Sequence, residues 1–350
     1  MIEAPKGRIL WCRPPGARPT RILIGRGLAG ALPELAAGRR VFALIDERAP
    51  IGPALPDARW TTLRLGGGEH LKTLARAEAV LRAMVDAGLD RKALLLAIGG
   101  GTVGDLGGLC AALFLRGIEC WQVPTTLMGM VDSAVGGKTA VNLPEGKNLV
   151  GCVHPPALVA IDPDLAAGLP QREFDGGLAE ALKTAIGLDQ DLFELLEGRV
   201  AAVRARDPDV LVDVIARCVA QKARIVENDL NEDGSRRLLN LGHTLGHALE
   251  AHAGFAVGHG HCVARGLHFA LDVARSLGAI GANDAARCAA LLAAYGHTAA
   301  ALPPARELEP FLRRDKKVTA DRVHFVLPTG IGRSEVRALP VQQVLQLLAR

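Results

Sequence analysis

The chain has 350 residues, a formal net charge of +4, an apolar fraction of 49% and a charged fraction of 22%. A chain of this length and composition can bury a large core, and it suits two domains better than one. The charge is nearly balanced and is not gathered into a long basic run, which argues against a nucleic-acid partner. The apolar segments are interrupted well before membrane-spanning length, so we expect no membrane association.

The cysteines and the first residues indicate a cytosolic protein. None of the seven cysteines belongs to a C-x-x-C pair, their number is odd, and several lie in apolar stretches. This usage is typical of reduced thiols. The first residues contain no apolar segment of the kind found in secretory signals. We therefore expect a cytoplasmic location.

The first half of the chain alternates short apolar runs with helical patterns. Strands are predicted at residues 41–45, 61–65, 93–98 and 120–123, and a helix at residues 71–87. Alternation of this kind predicts parallel strands joined by crossover helices. The fold class is therefore α/β, with a Rossmann-like, parallel-sheet domain over residues 1–160.

The second half is rich in Ala and Leu at helical spacing. Apolar residues at i, i+3 and i+4 predict helices at 177–187, 209–229, 238–252, 263–277 and 285–295, and a short late strand at 323–328. A Pro-rich stretch from His154 precedes them, so we place the domain boundary near residue 160. We predict a mostly α-helical domain over residues 161–350, with the active site in the cleft between the two domains.

A glycine-rich turn follows the strongly apolar strand at 93–98. Glycines at 99–101 let the backbone approach a ligand, and the helix that follows offers unpaired N–H groups to an anion. Together with Gly104 they match G-x-G-x-x-G, which is a weak signal by itself. A phosphate-binding turn and a tight packing turn explain this motif equally well. Asp46, at the end of an earlier strand, is a better candidate than Glu119 for a ribose hydroxyl.

Two lysines stand next to glycines in a segment that we predict to be a loop. Lys138 follows two glycines and Lys147 follows one. The missing side-chain bulk would let an ammonium group reach an anionic ligand, although either lysine alone would also suit a solvated loop. Asp132 lies among apolar neighbours, where an unpaired carboxylate is costly, so it is a further candidate.

Histidines at helical spacing suggest a metal site. His243 and His247 are four residues apart and share one helix face. His259 follows them, and Glu180 lies on another helical stretch with Lys183 one turn later. Two or three imidazoles with one carboxylate make a zinc site that leaves a position for substrate. Any single histidine would also suit a hydrogen-bonded core position, but the cluster favours a metal.

Three cations precede the histidine-bearing helix, namely Lys222, Arg236 and Arg237. An arginine can hold a carboxylate through two parallel hydrogen bonds. These residues therefore predict an anionic substrate, and the alternative is a solvated charged face.

Six blocks of the sequence resemble those of the 3-dehydroquinate synthases, which are sugar-phosphate cyclases. They are GGGTVGDLGG, LRG, VPTT, VDSAVGGKTAVN with GKN, GLAEALK and NLGHTLGHALEA, in the family's order and spacing within about residues 40–335. The resemblance implies a lyase of the shikimate pathway of aromatic amino acid biosynthesis, which converts 3-deoxy-D-arabino-heptulosonate 7-phosphate to 3-dehydroquinate and phosphate. It implies NAD and a divalent metal, zinc or cobalt, as cofactors. The implied reaction oxidises a ring alcohol, eliminates phosphate, returns the hydride and closes the carbocycle, with no net use of NAD.

The resemblance also implies roles for residues. Its metal ligands are Glu180, His243 and His259. Its cofactor contacts are Asp46, Glu69, Lys72, Gly100, Gly101, Asp105, Thr125, Thr126, Lys138 and Lys147. Its catalytic and substrate-binding residues are Asp132, Lys138, Lys147, Asn148, Lys183, Lys222, Arg236, Asn240 and His247. Arg116 matches an arginine that reaches the neighbouring subunit's site, which implies a homodimer, and either Lys316 or Lys317 matches a phosphate-binding lysine.

Two positions depart from the family pattern. His261 stands where the family usually has Glu, and Thr184 stands where an aromatic residue is frequent. His261 could alter the surroundings of the metal or offer another ligand. The main alternative is a sister cyclase acting on sedoheptulose 7-phosphate or glucose 6-phosphate. More remote alternatives are an NAD- and metal-dependent polyol dehydrogenase and a non-catalytic descendant. The retained Lys222, Arg236 and Asn240 favour a substrate that carries a carboxylate.

Overall fold

The computed structural model describes residues 7–51, 59–232, 234–313, 318–319 and 321–349. The chain divides into two units. The first consists of Met1–Leu169 and Leu211–Asn231, and the second consists of Pro170–Val210 and Glu232–Arg350. Lys316 and Lys317 lie outside the described residues, so the choice between them stays open. The predicted boundary near residue 160, and the predicted placing of the active site, stay predictions.

The first unit contains the strands β1 (Gly7–Cys12), β2 (Thr20–Gly25), β3 (Val41–Asp46), β4 (Thr61–Leu65), β5 (Leu94–Gly99), β6 (Glu119–Pro124), β7 (Lys138–Leu143), β8 (Gly146–Val153) and β9 (Leu158–Ile161). Seven of them form a sheet in the order β1-β2-β9-β6-β5-β3-β4. β1 pairs antiparallel with β2, and every other pair in this sheet is parallel. Strands β3 and β5 are buried along their whole length, as strands covered on both faces must be. The predicted parallel-sheet α/β region is therefore confirmed.

The α-helices of the described residues are α1 (Leu28–Leu35), α2 (Leu74–Asp86), α3 (Gly101–Leu113), α4 (Gln171–Leu188), α5 (Gln190–Gly198), α6 (Val200–Arg204), α7 (Pro208–Asn228), α8 (His243–His252), α9 (His259–Ser276), α10 (Ala282–Ala294), α11 (Ala305–Arg313) and α12 (Val341–Leu348). Local chemistry fixes where the helix predicted at 71–87 begins. The Thr73 side chain accepts a hydrogen bond from the backbone N–H of Arg76, which caps α2. Ala77, Val80 and Met84 are the buried positions of α2, at the spacing that a single apolar helix face requires.

Strands β7 and β8 form an antiparallel hairpin, so the loop predicted around Lys138 and Lys147 is wrong. Thr139 and Val141 alternate with more exposed residues along β7, and Val141 joins the core that also contains residues of α3. This alternation covers only a few residues next to glycines, which is too short for a reliable strand pattern. Both lysines consequently start from ordered strands: Lys138 opens β7, and Lys147 is the second residue of β8.

The second unit is mostly helical, as predicted. α8 begins at His243 because Ser235–Asn240 forms a separate 3-10 helix, and α9 begins at His259, four residues before the predicted start. The late strand predicted at 323–328 lies within β11 (Arg322–Gly330), which follows β10 (Val318–Thr319) and pairs with β12 (Arg333–Pro340) in an antiparallel sheet. Among the described residues, none of the helices combines the length and apolarity that crossing a bilayer requires.

Candidate active site

Three imidazoles of the second unit form a cluster. His243 is the first residue of α8, His247 lies one turn later on the same face, and His259 is the first residue of α9. One ring nitrogen from each lies within 4.8 Å of the others. The ring centroids of His243 and His259 are 5.2 Å apart, and those of His243 and His247 are 5.3 Å apart. The predicted grouping of these histidines is therefore present in the structure.

Glu180 brings a carboxylate to this cluster from α4. Its Oε1 lies 3.6 Å from Nε2 of His243 and 3.4 Å from Nε2 of His259. Lys183 Nζ lies 2.6 Å from Oε2. The carboxylate is buried, yet neither oxygen has a well-formed hydrogen bond to a described residue. The Lys183 ammonium offsets part of the cost of burying this carboxylate, and a cation between Glu180 and the imidazoles would offset more of it.

The other nitrogens of the two imidazoles are held in place. Nδ1 of His243 lies 3.2 Å from the carbonyl oxygen of Leu241, and Nδ1 of His259 lies 3.0 Å from Oε2 of Glu250. A proton on each Nδ1 would satisfy these acceptors and leave the Nε2 lone pairs directed at Glu180. This is the arrangement by which proteins orient imidazole ligands, and the two nitrogens with one carboxylate suit zinc or cobalt. The sequence prediction missed Glu250, although a glutamate on the apolar face of α8 was visible in the sequence.

The electrostatics of His259 reflect this environment. Burial lowers the pKa of the imidazole, but the carboxylates of Glu180 and Glu250 raise it by more, so that the pKa reaches about 9. Without a cation, the imidazole carries a proton that compensates the two carboxylates. A metal ligated through Nε2 would take the place of that proton.

The departure at His261 is explained by packing rather than ligation. Its Nε2 lies 3.1 Å from the carbonyl oxygen of Arg172, and its ring lies 5.7 Å from that of His297. Residues two apart on a helix point in different directions, so His261 does not share the direction of His259. Thr184, at the other departure, is buried, and its hydroxyl donates to the carbonyl oxygen of Glu180 at 3.0 Å within α4.

Arg236 and Asn240 are two other predicted site residues of the second unit. Arg236 is almost fully buried, at 2% exposure, which is unusual for a guanidinium. The side-chain amide of Asn240 donates to Oε1 of Glu232 at 2.5 Å. Glu232 has a φ of +70°, which a non-glycine residue rarely adopts. The sequence prediction also missed Glu232, whose backbone is strained beside a predicted site residue.

In the first unit, the carboxyl ends of the parallel strands form a second candidate site. Asp46 ends β3, Gly99 ends β5, and Thr125 and Thr126 follow β6. A cavity beside these ends is lined by residues singled out in the sequence, namely Gly100, Gly101, Gly104, Asp105 and Lys138, and by others that include Gln122, Ser133 and His154. Ligands of open α/β sheets bind at this edge.

The glycine-rich turn packs closely against its neighbours. A Cβ atom at Gly100 would lie 3.0 Å from Cγ2 of Thr126, and one at Gly101 would lie 3.2 Å from Oγ of Ser133. These contacts are those of a tight packing turn. Helix α3 begins at the same turn, at Gly101, and its first N–H groups and positive dipole end would suit a pyrophosphate. The phosphate-binding interpretation of the motif therefore stays a prediction.

A polar network joins five predicted residues of the first unit. Lys72 is buried, and its Nζ lies 2.6 Å from Oδ2 of Asp105 and donates to Oδ1 of Asn148 at 2.5 Å. Glu69 is 3.6 Å from Lys72 Nζ and 4.0 Å from Lys147 Nζ. Burial raises the pKa of Asp105, and the ammonium of Lys72 opposes this rise.

Asn142 belongs to the same network, although we did not predict it. Its amide donates to Oε1 of Glu69 at 2.9 Å, and its Oδ1 accepts the backbone N–H of Asn148 at 2.8 Å. Asn148 has a φ of +55°, so this contact fixes an uncommon backbone conformation.

Asp132 has the partner that its burial requires. Lys222, on α7, forms a salt bridge with the Asp132 carboxylate and also donates to its backbone oxygen at 2.5 Å. Two predicted residues far apart in the sequence are thus brought together.

Arg116 lies elsewhere in this unit, exposed on the turn Phe114–Arg116, with a φ of +66°.

Comparison with known proteins identifies the family of this chain. Residues 62–176 match the family model described as 3-dehydroquinate synthase N-terminal, and residues 177–318 match the one described as 3-dehydroquinate synthase C-terminal. The chain belongs to the 3-dehydroquinate synthase family. Apart from Asp46, the residues named above for the two candidate sites lie within the matched ranges.

Individual relatives extend this family match over most of the chain. The 3-dehydroquinate synthase of Solibacter usitatus is 43% identical over 286 residues, which cover 81% of this chain and 80% of that protein. The 3-dehydroquinate synthase of Pelobacter propionicus is 40% identical over 331 residues, covering 93% and 91%. Among solved structures, a 2-epi-5-epi-valiolone synthase from Streptomyces hygroscopicus with NAD+ and Zn2+ bound is 29% identical, with a TM-score of 0.84, covering 95% of this chain and 97% of the other.

Proposed function

We propose that this protein is a 3-dehydroquinate synthase, a lyase that converts 3-deoxy-D-arabino-heptulosonate 7-phosphate to 3-dehydroquinate and phosphate. The observation that carries the proposal is the buried Glu180 carboxylate facing Nε2 of both His243 and His259, in a chain about 40% identical to named 3-dehydroquinate synthases. A protein that only binds NAD would have no use for a buried carboxylate that faces two imidazole nitrogens at 3.4 and 3.6 Å.

The proposed cofactors are NAD and a divalent metal, zinc or cobalt. Glu180, His243 and His259 would hold the metal, and the strand ends around Asp46, with the turn at 99–101, would hold NAD. When bound, NAD accepts and returns a hydride, and the metal polarises a substrate oxygen.

The remaining predicted residues would bind and orient a doubly anionic substrate. Lys222 and Arg236 are nearly buried cations, which suits ion pairs with a carboxylate or phosphate that has lost its water. We assign them, with Lys183 and Asn240, to substrate binding. His247 belongs to the imidazole cluster but is not needed to complete a metal set of two imidazoles and one carboxylate, so we assign it to proton transfer.

We also propose that the protein is a cytoplasmic homodimer. Leu113 at the end of α3, and Leu149 and Val153 on the adjoining strand β8, are large apolar side chains with 53%, 58% and 38% exposure. Exposed apolar side chains on two adjoining elements, with Leu113 close to Arg116 in the sequence, support a subunit contact there. Six of the seven cysteines are buried thiols, which a reducing compartment preserves.

Phosphate release tests this function. The purified protein, supplied with NAD+ and zinc or cobalt, is incubated separately with the heptulosonate phosphate, sedoheptulose 7-phosphate and glucose 6-phosphate. Release from the heptulosonate phosphate, with no net change in NADH absorbance, is the expected result. Release from only one of the other two would identify a sister cyclase, and NADH accumulation with a simple polyol would identify a dehydrogenase.

A matched pair of variants assigns the release to the proposed site. Lys222→Met removes an ammonium proposed to bind substrate, whereas Lys92→Met removes an exposed one. We expect the first to lower kcat/KM by about a hundredfold and the second to leave it unchanged. Equal activity of the two variants would contradict the assignment of Lys222.

A further inference from the structure

The carboxyl end of β3 has a feature that the family assignment does not explain. Asp46 accepts two hydrogen bonds from the guanidinium of Arg48, from Nε to Oδ1 at 3.1 Å and from Nη2 to Oδ2 at 3.1 Å. The backbone N–H of Arg48 also donates to Oδ1 at 2.9 Å. Both carboxylate oxygens are thus engaged by one residue, in the bidentate geometry of a strong ion pair.

Asp46 lies where a dinucleotide-binding protein holds the adenosine ribose, so its pairing with Arg48 bears on cofactor choice. A Cβ atom placed on Gly99 would lie 3.0 Å from Cβ of Asp46, so the acid stands directly beside the glycine-rich turn. An acid on the strand next to such a turn hydrogen-bonds the 2′-hydroxyl of the adenosine ribose. An unpaired acid at that place would repel the extra phosphate that NADP carries on the same oxygen.

The guanidinium of Arg48 lies against Gly67 and is exposed to solvent. A Cβ atom on Gly67 would lie 1.8 Å from Nη2 of Arg48, so a larger residue there would displace the guanidinium. The Arg48 side chain is 59% exposed, whereas that of Asp46 is 6% exposed. The cation is therefore the outer, solvent-facing member of the pair.

We propose that Arg48 determines cofactor specificity, so that this protein accepts NADP as well as NAD. Paired with Arg48, Asp46 contributes no net charge, and the planar guanidinium offers hydrogen-bond donors to a 2′-phosphate. Asp46 keeps its place for a 2′-hydroxyl when NAD is the ligand. This inference rests on the proposed function, because it requires the strand ends of the first unit to be the dinucleotide site.

Equilibrium binding of NAD+ and NADP+, measured by calorimetry on the full-length protein, tests the proposal. We expect the wild-type protein to bind NADP+ no more than about tenfold more weakly than NAD+. Arg48→Met, which keeps the packing of the aliphatic stem, should weaken NADP+ binding at least about tenfold and change NAD+ binding less than about threefold. Arg48→Lys keeps the positive charge but loses the planar guanidinium that can donate two parallel hydrogen bonds. Its NADP+ affinity should lie between those of the wild-type protein and Arg48→Met.

The control is Arg82→Met, which removes an exposed arginine of the same unit that pairs with Glu78. It should leave both affinities unchanged. Two results would overturn the proposal: NAD+ binding by the wild-type protein with no measurable NADP+ binding, or equal weakening of both ligands in Arg48→Met. The second result would make Arg48 only a support for Asp46. Absence of binding for both nucleotides in the wild-type protein would instead contradict the proposed function itself.

Discussion

Oε2 of Glu250 lies 3.0 Å from Nδ1 of His259, and this contact joins a buried acid on α8 to the first residue of α9. A carboxylate behind an imidazole fixes the tautomer and the direction of the ring, and it makes the opposite nitrogen a stronger ligand. Glu250 would therefore act on a metal through His259 without touching it.

Replacing Glu250 should weaken metal binding without abolishing it. We expect Glu250→Ala to lower zinc affinity by about 10- to 100-fold, the usual cost of losing such an orienting partner. Competition with a chromophoric chelator measures the affinity, and the absorption of bound cobalt reports the geometry of the ligands. Glu307→Ala, which removes an exposed partner of His252, is the control and should change neither quantity. Unchanged zinc affinity in Glu250→Ala would show that the contact only supports packing.

Metal binding should stabilise the folded protein through Glu180. A ligand present at about 1,000 times its dissociation constant adds about 4 kcal/mol to the free energy of unfolding. We expect zinc to raise the thermal midpoint of the wild-type protein and a chelator to reverse the rise. Glu180→Gln should lose this response, whereas Glu194→Gln, at an exposed acid of the same unit, should keep it. The comparison is made within each variant, so a changed stability of the metal-free protein does not affect it. A full zinc response in Glu180→Gln would exclude this carboxylate as a ligand.

Stability should fall in mildly acidic solution because of His297. Burial lowers the pKa of His297 below its ordinary 6.5, and the nearby His261 and His268 lower it further, while the carbonyl oxygen of Asp175 opposes them. The unfolded chain therefore binds a proton at a higher pH than the folded chain does. The contribution to stability is complete above pH 6.5 and declines as the pH falls below that value.

Urea unfolding between pH 5 and pH 8 measures how the free energy of unfolding changes with pH. This range brackets an ordinary imidazole pKa of about 6.5. His297→Gln, which can still donate to Asp175, should flatten the profile at its acidic end. The exposed His70→Gln should leave the wild-type profile in place. If the free energy of unfolding of His297→Gln still falls with pH as it does in the wild-type protein, groups other than His297 cause the acid sensitivity.

Gly176 on α4 and Gly260 on α9 form a pair, and the close packing of the two helices should require glycine only at position 260. A Cβ atom on Gly260 would lie 2.0 Å from the backbone oxygen of Gly176, whereas one on Gly176 would have no heavy atom within 4 Å. We expect Gly260→Ala to cost about 1–3 kcal/mol of unfolding free energy through overpacking. It should also lower zinc affinity, because α4 carries Glu180 and α9 begins with His259. Gly176→Ala should be neutral or slightly stabilising, since alanine favours helix. Similar stabilities of the two variants would contradict the close approach.

The sequence was most informative where a periodic pattern coincides with the chemistry. The four-residue spacing of His243 and His247 predicted a shared helix face, and the apolar run before Gly99 predicted a buried strand. Both of these structural predictions are confirmed, whereas the ligand-binding role of the turn after the strand stays a prediction. They rest on local geometry, which the sequence determines directly.

Contacts between distant segments were less accessible to sequence reasoning. Glu250 and Glu232 were missed because their roles depend on the side chains opposite them, His259 and Asn240, and not on any local pattern. The hairpin β7–β8 was taken for a loop because its alternation is short and its burial comes from α3. Strands β1 and β2 were not predicted either, and β1 is an edge strand with exposed Ile9 and Trp11, so its pattern of burial is weak.

The two candidate sites are built from different units of the chain, which has a consequence for how such enzymes diverge. The proposed dinucleotide residues belong to strand ends and loops of the first unit, while Glu180 and the imidazole cluster belong to helices of the second. With the proposed assignments, an exchange of the loop after β3 or β4 would alter the choice of redox coenzyme and leave the sequence of the imidazole cluster unchanged. Substitutions on α4, α8 or α9 would alter the metal ligands and leave the parallel-sheet unit unchanged. Selection can therefore modify these two chemistries one at a time, and a protein engineer can do the same.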